Sequence, residues 1–369
     1  MRYRISKAFS AAVVAVILAV TALCGCGGRG ETPDLAPHLI ATPEASPVRP
    51  IDANDGVALS DLDGELSSEQ YRERVNELYA TVVFDGKRPI FSDGDPVKPI
   101  YDAARAMLDR YVLNAWSASD DGRYQTVHAI HDWLVCSVGY DFDLYDRFMR
   151  GETDLANDPA FHIDGVFLNG RAVCDGLSRA FNFLCAIENI ESVRVTGSYS
   201  SVPHAWNKVK LGGKWYNADV TSDAAYYAVG NGVYKKQLSH GFFLLSDDTI
   251  AEFENGHVFT EPVYPANEDY DYYSAQEIRV GGKKFSAVVK SQAELNRLFE
   301  SVADSDGAVG KLEVKLDFPN KTQVNFVDMY VDEIAAAYGK ADDADFVFSV
   351  DNKPYFRYPN GVYVFLIYK

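Results

Sequence analysis

At 369 residues the chain is too long for one average domain and leaves room for two folded units plus segments that do not fold. Hydrophobic residues make up 47% and charged residues 24%, which supplies enough apolar material for a core and enough charge for a solvated surface. A formal net charge of −18 and a pI near 4.8 exclude a phosphate backbone as the expected partner, so nucleic-acid binding drops out.

Arg2, Arg4 and Lys7 precede "FSAAVVAVILAVTAL", an apolar run too short for a comfortable membrane span and suited to the core of an export signal. The run ends in "LCGC", which resembles a bacterial lipobox. Residues 1–26 then read as a lipoprotein signal peptide in which Cys26 becomes the lipidated first residue of the mature chain, with Leu23 and Gly25 at the expected upstream positions. Ordinary signal cleavage and a helical anchor are the alternatives, and each of them exports the chain. The expectation is an extracytoplasmic protein anchored by lipid to the bacterial cell membrane. Of five cysteines, Cys136, Cys174 and Cys185 remain in the folded part, and an odd count leaves at least one thiol unpaired. With no C-x-x-C pattern, neither a metal nor a cofactor is expected.

Residues 27–60 turn to Pro, Gly, Ala, Thr and Asp without apolar periodicity and read as a disordered tether, with the folded domain running over 61–264. Ser67-x-x-Gln70 is a capping-box pattern that opens a first helix. A second helix is predicted over "PIYDAARAMLDRYVLNAW" and a third over "RYQTVHAIHDWLVCSV", where Val127, Ile130, Leu134 and Val138 recur at helical spacing. Cys136 in that helix reads as a buried free thiol. His128 and His131 read as structural or surface residues, since no carboxylate or cysteine is recognised beside them at ligand spacing. Further on, Leu177, Phe181, Leu184 and Ile187 form the apolar stripe of a helix whose first turn holds Cys174 and whose third turn holds a core Cys185. Two strands follow, "VPHAWNKVKL" and "KWYNADVTS", joined at Gly212 and Gly213 as a hairpin. From 266 to 369 the pattern reads strand, helix, strand, helix, strand, strand, a small separate α/β domain of unassigned role.

A thiol in the first turn of a helix faces unsatisfied backbone N–H groups and the positive end of the macrodipole, which favours the nucleophilic thiolate. Acyl transfer also needs a base and a group that orients it. If Gly212 and Gly213 form the turn, Leu211 pairs with Lys214, Trp206 with Asp219 and His204 with Thr221, so that His204 and Asp219 become diagonal neighbours on one face. Taken singly, a strand histidine is a satisfied polar residue and an aspartate at a strand end is a turn or cap. Taken with a cysteine at a helix start they compose a triad, on the assumption that helix and hairpin are adjacent.

The segments "HAIHDWLVCSVGYD", "VCDGLSRAFNFLCAIENI" and "HAWNKVKLGGKWYNADVTSD" together resemble the bacterial transglutaminase-like, papain-related superfamily over roughly residues 100–250. The resemblance implies an α+β fold, with a nucleophile helix packed on an antiparallel sheet, followed by the C-terminal α/β domain. It implies Cys174 as nucleophile, His204 as general base and acid, Asp219 as the residue orienting the imidazole, and Trp206 and Asn207 as residues shaping the site. Ala172 stands where the family usually has Gly, Ser222 where it usually has an aromatic residue, and Leu177 where Tyr is common. The implied reaction is thiolate attack on an amide of a protein or cell-wall peptide, giving a thioester that water or an amine resolves. Two other readings remain open. One is a non-catalytic polypeptide- or glycan-binding module, to which the 23 tyrosines, including "YDYY" at 270–273, lend support. The other is a zinc site built from Cys174, His204, His240 and Asp219, although His240 by itself reads as structural.

Overall fold

The computed structural model describes residues 56–60, 64, 66–112, 119–228, 234–252, 256–261, 263–304, 311–318, 355–358 and 360–366. The export signal, Cys26 and most of the tether lie outside the described residues. The end of the tether does not: Gly56–Ala58 pairs in parallel with Arg88–Ile90, and Leu59 is buried in the main core. Residues that composition assigns to the tether thus take part in the fold, because a three-residue strand leaves no periodicity to read.

The three expected helices are α1 (Ser68–Val83), α2 (Lys98–Tyr111) and α3 (Asp120–Ser137). α1 opens with the full capping box, Ser67 accepting from the Gln70 N–H and the Gln70 side chain accepting from the Ser67 N–H. α3 buries Val127, Ile130, Leu134 and Val138 as its spacing requires. Cys136, however, is exposed: it lies on the opposite face of α3 from that stripe, so the apolar residues beside it in sequence do not surround it in space.

Helix α4 (Cys174–Ile187) is buried along nearly its whole length and packs on strands β1 (Ser192–Tyr199) and β2 (Val202–Leu211) of an antiparallel sheet. β3 (Lys214–Ala218), β4 (Phe243–Leu245) and β5 (Val258–Phe259) complete that sheet in the order β4-β3-β2-β1-β5. Gly212 and Gly213 sit at φ +55° and +80°, the paired positive values that a two-residue hairpin turn demands and that glycine adopts without strain. Leu211 pairs with Lys214 and Asn207 with Ala218, the register expected from the sequence. Formal pairing stops at Ala218, and the next residue turns away to donate its N–H to the Phe242 carbonyl.

Two polar clamps dock α4 on the sheet. Asp175, in its first turn, pairs with Arg194 of β1 at 2.7 Å and with Arg179 at 3.1 Å. Burial would raise this carboxyl, but Arg194 and then Arg179 hold it below its usual range, and the helix N-terminus favours the same negative charge. Asn207, expected to shape the site, instead points from β2 into the helix, donating to the Ser178 carbonyl and to Asn182 Oδ1. Its role in the fold is to fix how far the helix sits from the sheet.

The C-terminal unit contains β6 (Val288–Val289), helix α5 (Gln292–Ala303) capped by Ser291, β7 (Lys311–Leu316), β8 (Tyr355–Arg357) and β9 (Val362–Leu366), with strand order β6-β7-β9-β8. The predicted helix at 325–338 and strand at 345–351 lie outside the described residues. Alternation along β9 divides two cores: Tyr363 and Phe365 join Leu295, Leu298 and Val302 of α5, while Val362 and Val364 join the core of the first unit. The two units are thus packed together. At Gly241, just before β4, a Cβ would lie 2.0 Å from the ring of Tyr358, so only glycine allows this contact.

Asn207→Ala leaves the buried Ser178 carbonyl and Asn182 Oδ1 without this donor. We expect a loss of about 1–3 kcal/mol, seen as a lower urea midpoint with an unchanged slope.

Candidate active site

The first turn of α4, the end of β2 and the turn after β3 meet at one place. Cys174 is partly exposed at the helix start. His204 on β2 directs its Nε2 to Asp219 Oδ2 at 2.7 Å. An ionised carboxylate can only accept, so Nε2 carries the proton and Nδ1 is left for Cys174, with which the His204 ring also makes a side-chain hydrogen bond. The structure therefore brings together the three residues that hairpin register and the helix-start cysteine nominate. Trp206 is buried two residues along β2, its ring stacked near that of His204 and its indole N–H donated to Asn217 Oδ1.

Asp219 is fully buried and collects donors. Besides His204, its Oδ2 lies 2.7 Å from His257 Nε2 and 2.5 Å from Ser222 Oγ, while Oδ1 accepts from the Ser222 N–H. Burial alone would raise this carboxyl; the His204 imidazolium, followed by His257, holds it well below the carboxylate range. For His204, burial pulls downward but is outweighed by Asp219 and then Cys174, which raise it to about 10. The neighbouring His257 is pulled below its ordinary value by burial, an effect that Asp219 offsets only in part. One carboxylate thus supports a charged imidazole and a neutral one.

Ser222 stands where the resemblance leads one to expect an aromatic residue, and its hydroxyl adds a bond to Asp219. Ala172 and Leu177, the other departures, are both buried without strain: Ala172 lies in a short parallel pairing of Gly139–Tyr140 with Arg171–Ala172, and Leu177 joins the core. That pairing also delivers Tyr140. Its phenol oxygen accepts from the Cys174 backbone N–H, and burial, followed by the nearby Cys174, pushes its ionisation far above the ordinary value, so the phenol stays protonated. Tyr140 lies in the segment "HAIHDWLVCSVGYD", where nothing in the residue pattern marked it as part of the site. His257 follows Asp219 by 38 residues with no local pattern to mark it.

His240 does not join this site; it lies with His128 and Asp132 on the flank of α3. A zinc site made of Cys174, His204, His240 and Asp219 is therefore ruled out by placement.

Part-exposed Cys174 and His204 and buried Asp219 thus stand together between a helix start and an antiparallel sheet, with the residue types that nucleophilic acyl transfer requires. Residues 110–220, which contain all three groups, match the model of the transglutaminase-like superfamily. No curated protein matches the chain. Among solved structures, a transglutaminase is 19% identical with a TM-score of 0.30, the match covering 40% of this chain and 36% of that one. A candidate cysteine protease from Cytophaga hutchinsonii is 19% identical with a TM-score of 0.23, covering 35% of this chain and 43% of that one. This chain thus spans less than half of either.

Because the folded state holds His204 protonated well above its ordinary 6.5, the stability this contributes is complete below pH 6.5 and is lost as pH rises toward about 10. The difference in urea-unfolding free energy between wild type and His204→Ala is expected to shrink steadily across that window.

Proposed function

We propose that the protein is a surface-anchored cysteine acyl-transfer enzyme acting on an amide, a peptide bond or glutamine side chain, of protein or cell-wall peptide. The observation that carries this reading is the bridging position of His204, bonded to Asp219 through Nε2 and to Cys174 on its other side. In this account Cys174 attacks the carboxamide carbon as the thiolate of a thiolate–imidazolium pair. Collapse of the tetrahedral adduct breaks the C–N bond, and the imidazolium of His204 gives its proton to the departing nitrogen. A thioester on Cys174 remains. Neutral His204 then takes a proton from water or from an amine as that group attacks the thioester, and the thiolate leaves.

Asp219 orients the ring and stabilises its cationic form; His257 and Ser222 hold Asp219 in turn. The Cys174 N–H is engaged by Tyr140, so the group offered to the developing oxyanion is the protonated phenol of Tyr140 itself. Export and lipid attachment through Cys26 would put this chemistry outside the cytoplasmic membrane, where cell-wall peptide and surface protein are the available amides.

The test is to incubate the chain with peptide amides and glutamine-containing peptides, with and without a primary amine, and to seek an acyl adduct on Cys174 by mass spectrometry. Adduct formation that disappears in Cys174→Ala supports the reading, and turnover retained in that variant overturns it. Capture by the amine against capture by water separates transamidation from hydrolysis. Tyr140→Phe is expected to lower kcat by roughly 10²–10³-fold while leaving KM nearly unchanged, the signature of a donor used only in the transition state.

A further inference from the structure

Away from the triad, α3 carries His128 and Asp132 one turn apart on a single face, and the segment before β4 brings His240 against them. His240 Nε2 lies 3.0 Å from Asp132 Oδ1, 3.2 Å from His128 Nε2 and 3.3 Å from the Tyr272 hydroxyl. His128 Nε2 lies 3.4 Å from Asp132 Oδ2. A ring nitrogen has one N–H or one lone pair in its plane, so hydrogen bonds to Asp132 leave the 3.2 Å approach of His128 Nε2 to His240 Nε2 unexplained. As ligands around one centre it is accounted for: zinc bonds of about 2.0–2.2 Å at tetrahedral angles put donor atoms roughly 3.3 Å apart.

The surroundings are those of a metal-bound histidine. The opposite ring nitrogen of His240, Nδ1, is 3.3 Å from Glu313 Oε2, and the His240 backbone N–H donates to Glu313 Oε1 at 2.7 Å. Lys311 and the Tyr273 hydroxyl hold Glu313 from the other side. Asp132 is braced by His131, buried between it and Asp223 at 3.0 Å from each. His128 and Asp132 are 26% and 30% exposed, which gives an ion and a water ligand access. At the triad, by contrast, each imidazole's Nε2 makes one short bond to Asp219, and hydrogen bonding is a sufficient account.

We propose that His128, Asp132 and His240 bind a divalent transition ion of the zinc class, with water completing a tetrahedral site. The donor set, two imidazoles and a carboxylate, suits zinc better than calcium or magnesium. The ion would tie α3 to the segment before β4 and, through Glu313, to β7 of the C-terminal unit. Asp132 follows His128 by four residues, a ligand spacing that was missed when no carboxylate was recognised beside His128, and the third ligand is 108 residues beyond Asp132.

The test uses the untagged chain carrying Cys136→Ser and Cys174→Ser, so that neither of these accessible thiols contributes, stripped with chelator and titrated with Zn²⁺ and Co²⁺. The expected result is one ion per chain, visible absorption of tetrahedral Co²⁺, and a Tm raised by about 5 °C when free Zn²⁺ is a hundredfold above Kd. His128→Ala and Asp132→Asn, both at part-exposed positions, are expected to remove stoichiometric uptake and the Tm shift while circular dichroism stays that of the parent. His204→Ala is expected to leave uptake intact. Absence of stoichiometric binding overturns the proposal, as does uptake that survives His128→Ala or is lost in His204→Ala.

Discussion

A fully buried carboxylate, Asp219, is the constraint on which the site depends. An ion removed from water without partners costs several kcal/mol, and this one is tolerated because His204, His257 and Ser222 all donate to it. Those donors come from β2, from the residue next to β5, and from the turn after β3. The charge on Asp219 therefore fixes the relative position of three segments of the sheet edge. The same charge holds His204 as an imidazolium, so the interaction that secures the structure also sets the protonation state the proposed chemistry requires.

The sulfur is delivered separately. α4 is tied to β1 through Asp175 and Arg194 and to β2 through Asn207, so its first turn cannot slide relative to His204. Tyr140 approaches from a third direction on a two-residue strand pairing. The C-terminal unit adds weight behind the segment before β4, where Tyr358 covers Gly241 and Glu313 holds His240. Function in this account is positional: helix start, hairpin and the short pairing that carries Tyr140 each restrict one side of a small polar site.

Much of this could be read from residue order. The capping box at Ser67, the apolar stripe of α3 and the Gly212–Gly213 turn are local signals, and each is present as expected. Since the turn fixes the register, His204 and Asp219 could be paired on paper. The bonds of Asn207 to α4 were not legible, because alternation along a strand says which face a side chain takes, while the packing of α4 decides what that face meets. Cys136 looked buried for a similar reason, its sequence neighbours lying on the other side of the helix. His257, Glu313 and the joining of His240 to His128 and Asp132 were not legible, since each contact spans tens of residues and leaves no periodic trace. The paired cores on β9 were hidden in the same way: its alternation was visible, but not that both faces would be apolar interfaces.

The most direct test of the central claim is the pH dependence of alkylation of Cys174 by a small thiol reagent, followed by peptide mass spectrometry in wild type and His204→Ala. The account predicts that Cys174 is alkylated faster in wild type than in His204→Ala, because the His204 imidazolium pairs with the attacking sulfur. Alkylation with the same rate and pH profile in both proteins would contradict it.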